Sequence, residues 1–319
     1  MKRRSVPRRR VGIVGAGAVG ATAAYSLVMT GSCEEIVLFD IVEGVALGKA
    51  IDIGQAAHYS PKGTKVTAVK SAAEMKECDV VVITAGVPRK GDMTRADLLM
   101  INAKIMKNVL SDVAKHSPDA IIICVSNPLD VMTYVIHQMT GWERNRIVGM
   151  AGALDGARMA YQIYKTLGYG MTQTGDLVIG DHGQNMIPLP HKVQVGSVNA
   201  GELLSQEQMQ QIIDRTKNGG AEIVKHLGTS GYYGPGRAVA YMVEAILDNS
   251  RIVVSSSALL QGEYGYSDVC VGVPVVLGRN GIEEIIQIDL DEETEAKFKV
   301  SVESIRDNIN MLFEHKFFE

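Results

Sequence analysis

Cysteine is scarce. The 319 residues contain four, Cys33, Cys78, Cys124 and Cys270, and no pair has CxxC spacing. That argues against zinc ribbons and dithiol redox motifs, and no metal is expected. Cys78 and Cys124 border apolar, strand-like runs, where a reduced cysteine acts as a small hydrophobe. This usage fits a reducing cytoplasm and not a disulfide scaffold. No stretch of ~18 residues is both apolar and free of charge, so no membrane span is expected. Positive charge is not in excess either: Lys+Arg total 32 against Asp+Glu 36, a net charge of −4. Such a balance gives no long-range attraction to nucleic acid or anionic membrane. The basic opening MKRRSVPRRR lacks an apolar h-region and is too short for a transit peptide. It reads as a solvated terminus leading into a first strand.

Glycine, by contrast, is plentiful. There are 33, about one in ten residues against a usual ~7%, with no Gly-X-Y period. The glycines must serve tight turns, close packing or close approach to a ligand. The length suggests two domains or one large one. The first half alternates short runs rich in Val and Ile with helical stretches. The runs are 11–14, 36–40, 64–69, 79–84, 120–126 and 146–149; the helical stretches include 20–30, 98–116 and 130–140. Nearly continuous apolar runs fit strands buried on both faces of a parallel sheet. The expected fold class is α/β: a doubly wound, Rossmann-type parallel sheet in residues 1–150, then an α+β substrate domain in 151–319. In the second half, helices are expected at 154–167, 205–228, 235–248 and 291–314. A strand is expected at 176–180, and a mostly antiparallel sheet from 251–260, 269–277 and 281–290. Gly219, Gly220 and Gly281 read as ordinary turn and helix-end glycines.

The glycines of one motif have separate physical tasks. Gly15, Ala16, Gly17, Ala18, Val19 and Gly20 directly follow the first strand. Gly15 permits the tight strand-to-helix turn, Gly17 lets a pyrophosphate approach the backbone, and Gly20 lets helix and strand pack closely. The helix N-terminus then offers free N–H groups to phosphate. Asp40 ends the second strand, twenty residues beyond Gly20. A carboxylate there accepts hydrogen bonds from ribose hydroxyls and repels a 2′-phosphate, which favours NAD over NADP. A methyl-donor cofactor in a similar nucleotide fold is the competing reading.

Four further segments carry candidate chemistry. His182 lies between glycines in Ile-Gly-Asp-His-Gly-Gln, just past an apolar strand. Asp155 and Arg158 share one face of a helix start. A buried aspartate there can fix the His182 tautomer, and Arg158 can fork onto a carboxylate. The segment Ala-Gly-Val-Pro-Arg-Lys-Gly-Asp-Met-Thr-Arg, ending at Arg95, follows the fourth strand as a basic lid. Val125, Ser126 and Asn127 end the fifth strand beside the same crevice. Taken one at a time, each feature also has a bland reading as a surface turn, a solvated ion pair or an Asn-Pro turn.

In combination, the order and spacing of these segments resemble the malate/lactate dehydrogenase superfamily, most closely its lactate-dehydrogenase-like malate dehydrogenases. The resemblance runs from Val11 to about Phe313 and includes GAGAVG, Asp40, AGVPRKGDMTR, VSNP, LDGAR, IGDHG and VGVPVVLGRNGIEEI. It implies that His182, paired with Asp155, is the catalytic acid/base. Arg158 would hold the substrate's C1 carboxylate, and Arg95 would polarise the reacting carbonyl. Asn127 would bond substrate and orient the cofactor, and Asn102 would be a further NAD contact. Arg89 stands where the lactate dehydrogenases carry Gln, which implies malate and oxaloacetate as substrates. A homo-oligomer is implied, usually a tetramer, although dimers occur. Two departures stand out. Gly91 and Asp92 occupy lid positions that are commonly Pro-Gly, and Gln184 follows His-Gly where Asp is common. The alternatives are a lactate or other 2-hydroxyacid dehydrogenase, a non-catalytic NAD-binding sensor, and a nucleotide-binding methyltransferase.

Overall fold

The computed structural model describes residues 8–87 and 93–319. Strand β1 (Arg10–Val14), helix α1 (Ala18–Thr30), β2 (Glu35–Phe39), α2 (Glu43–Ala56) and β3 (Lys65–Val69) form the first half-turn of the fold. The second half-turn is β4 (Val80–Ile83), α3 (Arg95–His116), β5 (Ile121–Cys124), α4 (Leu129–Thr140) and β6 (Ile147–Gly149). These six strands are parallel, in the order β3-β2-β1-β4-β5-β6. Every residue of β4 and β5 is buried, as their unbroken Val and Ile runs require. The sheet and its crossovers are those expected from the apolar runs.

One helix, α2, escapes the sequence pattern. It contains Gly44, Gly48 and Gly54, which lower helix propensity. It buries only Ala46, Ala50 and Ile53, while Val42, Val45, Leu47 and Ile51 are exposed. Most of its large apolar residues therefore lie off the face that packs on the sheet.

The second half begins with α5 (Gly152–Leu167). Four two-residue strands follow: β7 (Val178–Ile179), β8 (Ile187–Pro188), β9 (Gln194–Val195) and β10 (Val198–Asn199). Then come α6 (Ala200–Leu203), α7 (Gln206–Leu227), α8 (Tyr233–Asp248), β11 (Ile252–Gln261), β12 (Ser267–Gly278), β13 (Gly281–Ile285) and α9 (Glu292–Glu314). Strand β12 pairs antiparallel with both β11 and β13, as expected. They do not form a separate sheet, however. They extend the parallel one, giving nine strands in the order β13-β12-β11-β6-β5-β4-β1-β2-β3. The junction is the pair Ser257 and Gly149. A Cβ at Gly149 would sit 2.6 Å from Ser257 Cβ, so only glycine lets β11 approach.

Helix α8 crosses back to pack on α1. At the crossing, a Cβ on Gly236 would lie 2.6 Å from the Thr22 side chain, so the two backbones nearly touch. Thr30 Oγ1 donates to Glu244 Oε1 at 2.8 Å, and Arg9 pairs with Asp248 at 2.8 Å. Arg10 pairs with Glu35 and Arg8 with Glu77. The described arginines of the basic opening are thus tied to the fold and do not form a free arm. Among the described residues, no helix is long and apolar enough to cross a membrane.

Candidate active site

In an open α/β sheet the ligand crevice lies beyond the carboxyl ends of the strands, where the winding reverses. Here the reversal falls between β1 and β4. The glycine turn leaves β1 at that point. Gly15 holds φ 99°, a conformation that side chains rarely adopt. Helix α1 then starts with Gly17 as its N-cap and no side-chain capping bond. Its first-turn N–H groups are left for an outside acceptor. Asp40 Oδ2 accepts from the Ala16 N–H at 2.9 Å, and Oδ1 from the Val42 N–H at 2.9 Å. The carboxylate is held against the turn with lone pairs to spare. These features fit a dinucleotide: an uncapped helix start for the pyrophosphate and a fixed acid for the ribose.

The two later glycines of the turn differ in what surrounds them. A Cβ on Gly17 meets nothing within 4 Å, whereas one on Gly20 lies 2.0 Å from the Gly15 carbonyl oxygen. Gly17→Val is therefore expected to melt like the parent protein without cofactor, yet bind NADH on the order of tenfold or more weakly in a fluorescence titration. Gly20→Ala is expected to lose ~1–3 kcal/mol of stability through overpacking. Equal melting losses in both variants would refute this division.

The segment after β7 is fixed by three separate elements. Gly180 exchanges backbone hydrogen bonds with Gly272 of β12, both 2.9 Å. The Asp181 N–H donates to Ser301 Oγ on α9. The His182 N–H donates to Asp130 Oδ2 on α4 at 2.8 Å. His182 is thereby aimed at α5, where its Nδ1 lies 2.7 Å from Asp155 Oδ2. Asp155 is 2% exposed and, when ionised, can only accept, so Nδ1 carries the proton and Nε2 is left for chemistry. Burial pushes the His182 pKa down. The charge and hydrogen bond of Asp155, helped by the charge of Asp130, outweigh it, and the net shift is upward.

Asp155 Oδ1 also accepts from Arg158 Nη1 at 2.8 Å. The pair is not a solvated surface contact, because Asp155 is buried. Arg158 Nε is buried with no partner among the described residues, so the guanidinium retains donors for a carboxylate. Its far side rests on Gly219 and Gly220: a Cβ on Gly220 would lie 3.4 Å from Arg158 Nη2. These two glycines sit inside α7, not at a turn as the sequence suggested, and make room for the arginine. Gly281, with φ 86°, is the turn glycine it was expected to be.

Val125, Ser126 and Asn127 follow β5 at the same sheet edge. Ser126 Oγ donates to the Ala85 carbonyl. Asn102 is 1% exposed. Its Oδ1 accepts from the Val87 N–H at 2.8 Å, and its Nδ2 donates to the carbonyls of Val87 and Asn127 at 3.3 and 2.7 Å. Its amide clamps the lid base to the Asn127 loop. Arg95 opens α3 beside its capping residue Thr94. It is exposed and has no hydrogen bond or ion pair among the described residues, so it is not drawn into the His182 cluster. Arg89, Gly91 and Asp92 lie outside the described residues. Gln184 is exposed. Asp130 and the Gly219–Gly220 pair are parts of the site that sequence reasoning missed. Asp130 binds a backbone N–H, which leaves no motif.

Comparisons with known proteins agree with this fold. Residues 9–149 match the lactate/malate dehydrogenase NAD binding domain and residues 152–316 the lactate/malate dehydrogenase alpha/beta C-terminal domain. A malate dehydrogenase of Sulfurimonas denitrificans is 53% identical over 98% of this chain and 98% of its own length. Among solved structures, a malate dehydrogenase from Salinibacter ruber superposes with TM-score 0.92 at 38% identity, covering 96% of this chain and 98% of that one. A lactate dehydrogenase from Cryptosporidium parvum, complexed with lactic acid and nicotinamide adenine dinucleotide, gives 0.91 at 33%, covering 97% and 99%. Family models over both halves and relatives matched over nearly the full length agree: the cofactor is NAD, and the chain belongs to the lactate/malate dehydrogenase family.

Proposed function

We propose that this chain is an NAD-dependent malate dehydrogenase that interconverts (S)-malate and oxaloacetate. The observation that carries the reading is the buried Asp155, 2.7 Å from His182 Nδ1 and 2.8 Å from Arg158. A merely cofactor-binding sensor has no use for such a cluster. Residues 1–150 serve as the cofactor half and 151–319 as the substrate half. Gly15 to Gly20, Asp40 and Val125 to Asn127 line the cofactor site, with Asn102 clamping its edge.

Bound NAD supplies the hydride acceptor in malate oxidation and the donor in oxaloacetate reduction. In the oxidation direction, neutral His182 takes the substrate hydroxyl proton at Nε2. In reduction, the imidazolium returns it. Asp155 favours the charged ring and fixes its tautomer. Arg158 forks onto the C1 carboxylate, Arg95 stabilises the developing charge on the C2 oxygen, and Asn127 donates its amide beside them. Arg89 pairs with the second carboxylate of the four-carbon acid.

The test is turnover of NADH by the purified protein with oxaloacetate and with pyruvate. Oxaloacetate is expected to be strongly preferred. Preference for pyruvate makes the chain a lactate dehydrogenase instead, and no turnover with either leaves only a binding protein. The chain also acts as a homo-oligomer, a tetramer by family precedent. The exposed apolar face of α2, with Val45, Leu47 and Ile51, is what a second copy would cover; a monomeric mass by sedimentation would exclude this. Four free, buried cysteines support a cytoplasmic location.

A further inference from the structure

Asp130 is a costly residue where it stands. It lies in the first turn of α4, 5% exposed, and burial pushes its pKa up to about 6. One oxygen accepts from the His182 N–H at 2.8 Å. The Ser257 hydroxyl is near enough to favour the ionised form, yet neither Ser257 Oγ nor Asp130 Oδ1 completes a hydrogen bond among the described residues. A serine hydroxyl or an amide would satisfy one backbone N–H without burying a charge. The charge therefore calls for its own explanation.

The titratable groups around it are His182 and Asp181 on the loop after β7, Cys124 at the end of β5 and Cys270 on β12. Burial keeps both thiols neutral, and Asp181 is acidic. Of these groups, His182 alone can take a positive charge.

We propose that Asp130 is a positioning residue for the acid/base histidine, tying the His182 main chain to α4 and joining Asp155 in holding a negative potential on the ring. The inference rests on the reading of His182 as the acid/base. Asp155 acts from α5 through the ring edge, and Asp130 from α4 through the backbone. The imidazolium is thus stabilised from two elements at once. Removing either charge lowers the His182 pKa. Oxaloacetate reduction needs the protonated ring, so its rate falls as pH rises through that pKa; without Asp130 the fall comes at lower pH.

Two variants separate the roles. Asp130→Asn keeps an oxygen for the His182 N–H and removes only the charge. Asp130→Ala removes both. His182 is titrated by NMR in histidine-labelled full-length protein, its resonance assigned by its loss in His182→Ala. The descending limb of kcat/KM for oxaloacetate against pH is measured alongside. In Asp130→Asn, both the NMR titration and the kinetic limb are expected to move down by about one pH unit. Its melting temperature at pH 7.5 is expected to stay level or rise. The native carboxylate, with its pKa raised to about 6, binds a proton that the unfolded chain has released; stability is lost as pH climbs through that range, and the amide avoids the loss. Asp130→Ala is expected to lose a further ~10-fold or more in kcat with NADH affinity unchanged, because the loop is no longer tied. If Asp130→Asn leaves both titrations in place, or only lowers the melting temperature, the residue is structural and the inference fails. If His182→Ala retains full turnover, it is instead the reading of His182 that fails.

Discussion

His182→Ala is expected to cut kcat by ~10²–10⁴ while leaving NADH affinity almost unchanged. The imidazole is the group placed to accept and return the hydroxyl proton. It is held on its Nδ1 side by Asp155 and through its backbone by Asp130. The cofactor features sit on other elements, the turn after β1 and Asp40 after β2, so truncating the ring leaves them intact. Stopped-flow turnover and a fluorescence titration with NADH check the two halves of the statement separately. Turnover within a few-fold of the parent would remove His182 from the chemistry. Loss of NADH binding instead would mean that the loop after β7 supports the crevice itself.

The second large effect is expected at Arg89. Oxaloacetate carries a second carboxylate where pyruvate has a methyl group. Arginine can pair bidentately with the carboxylate, but faces the methyl group as a desolvated, unpaired charge. Arg89→Gln is expected to shift the ratio of kcat/KM for oxaloacetate over pyruvate by roughly 10³-fold or more toward pyruvate. Most of that change comes from lost oxaloacetate activity, since glutamine cannot replace the ionic pair. An unmoved ratio would mean that another residue reads the distal carboxylate.

Much of this protein was legible in its sequence because its elements are consistent with their local chemistry. The runs rich in Val and Ile became β1 to β6, and the helical stretches expected in the second half became α5, α7, α8 and α9. The exceptions share a cause. Helix α2 was missed because three glycines interrupt it and most of its large apolar residues point away from the fold. The two-residue strands β8, β9 and β10 are too short to show any period. The fusion of β11 to β6 depends on a glycine that leaves room, and room has no signature. In the site, His182, Asp155 and Arg158 were legible because motifs surround them. Asp130 was not: it lies 52 residues from His182 and meets only a main-chain N–H, which every residue but proline has. The clamp made by Asn102, whose amide is engaged by the backbone of Val87 and Asn127, was equally hidden, since its partners are main-chain groups.

The packing of α8 on α1 has a consequence for how this chain can be divided. Helix α8 comes from the second half, yet it covers a helix of the first so closely that Gly236 nearly touches Thr22. Strand β11 likewise shields the edge of β6. Severed near residue 150, the cofactor half would carry a raw strand edge and a stripped helix face, both invitations to aggregate. The two halves are therefore not interchangeable cassettes. New substrate specificity has to be grafted through loops such as the lid, because swapping a whole half would tear the core that both halves own.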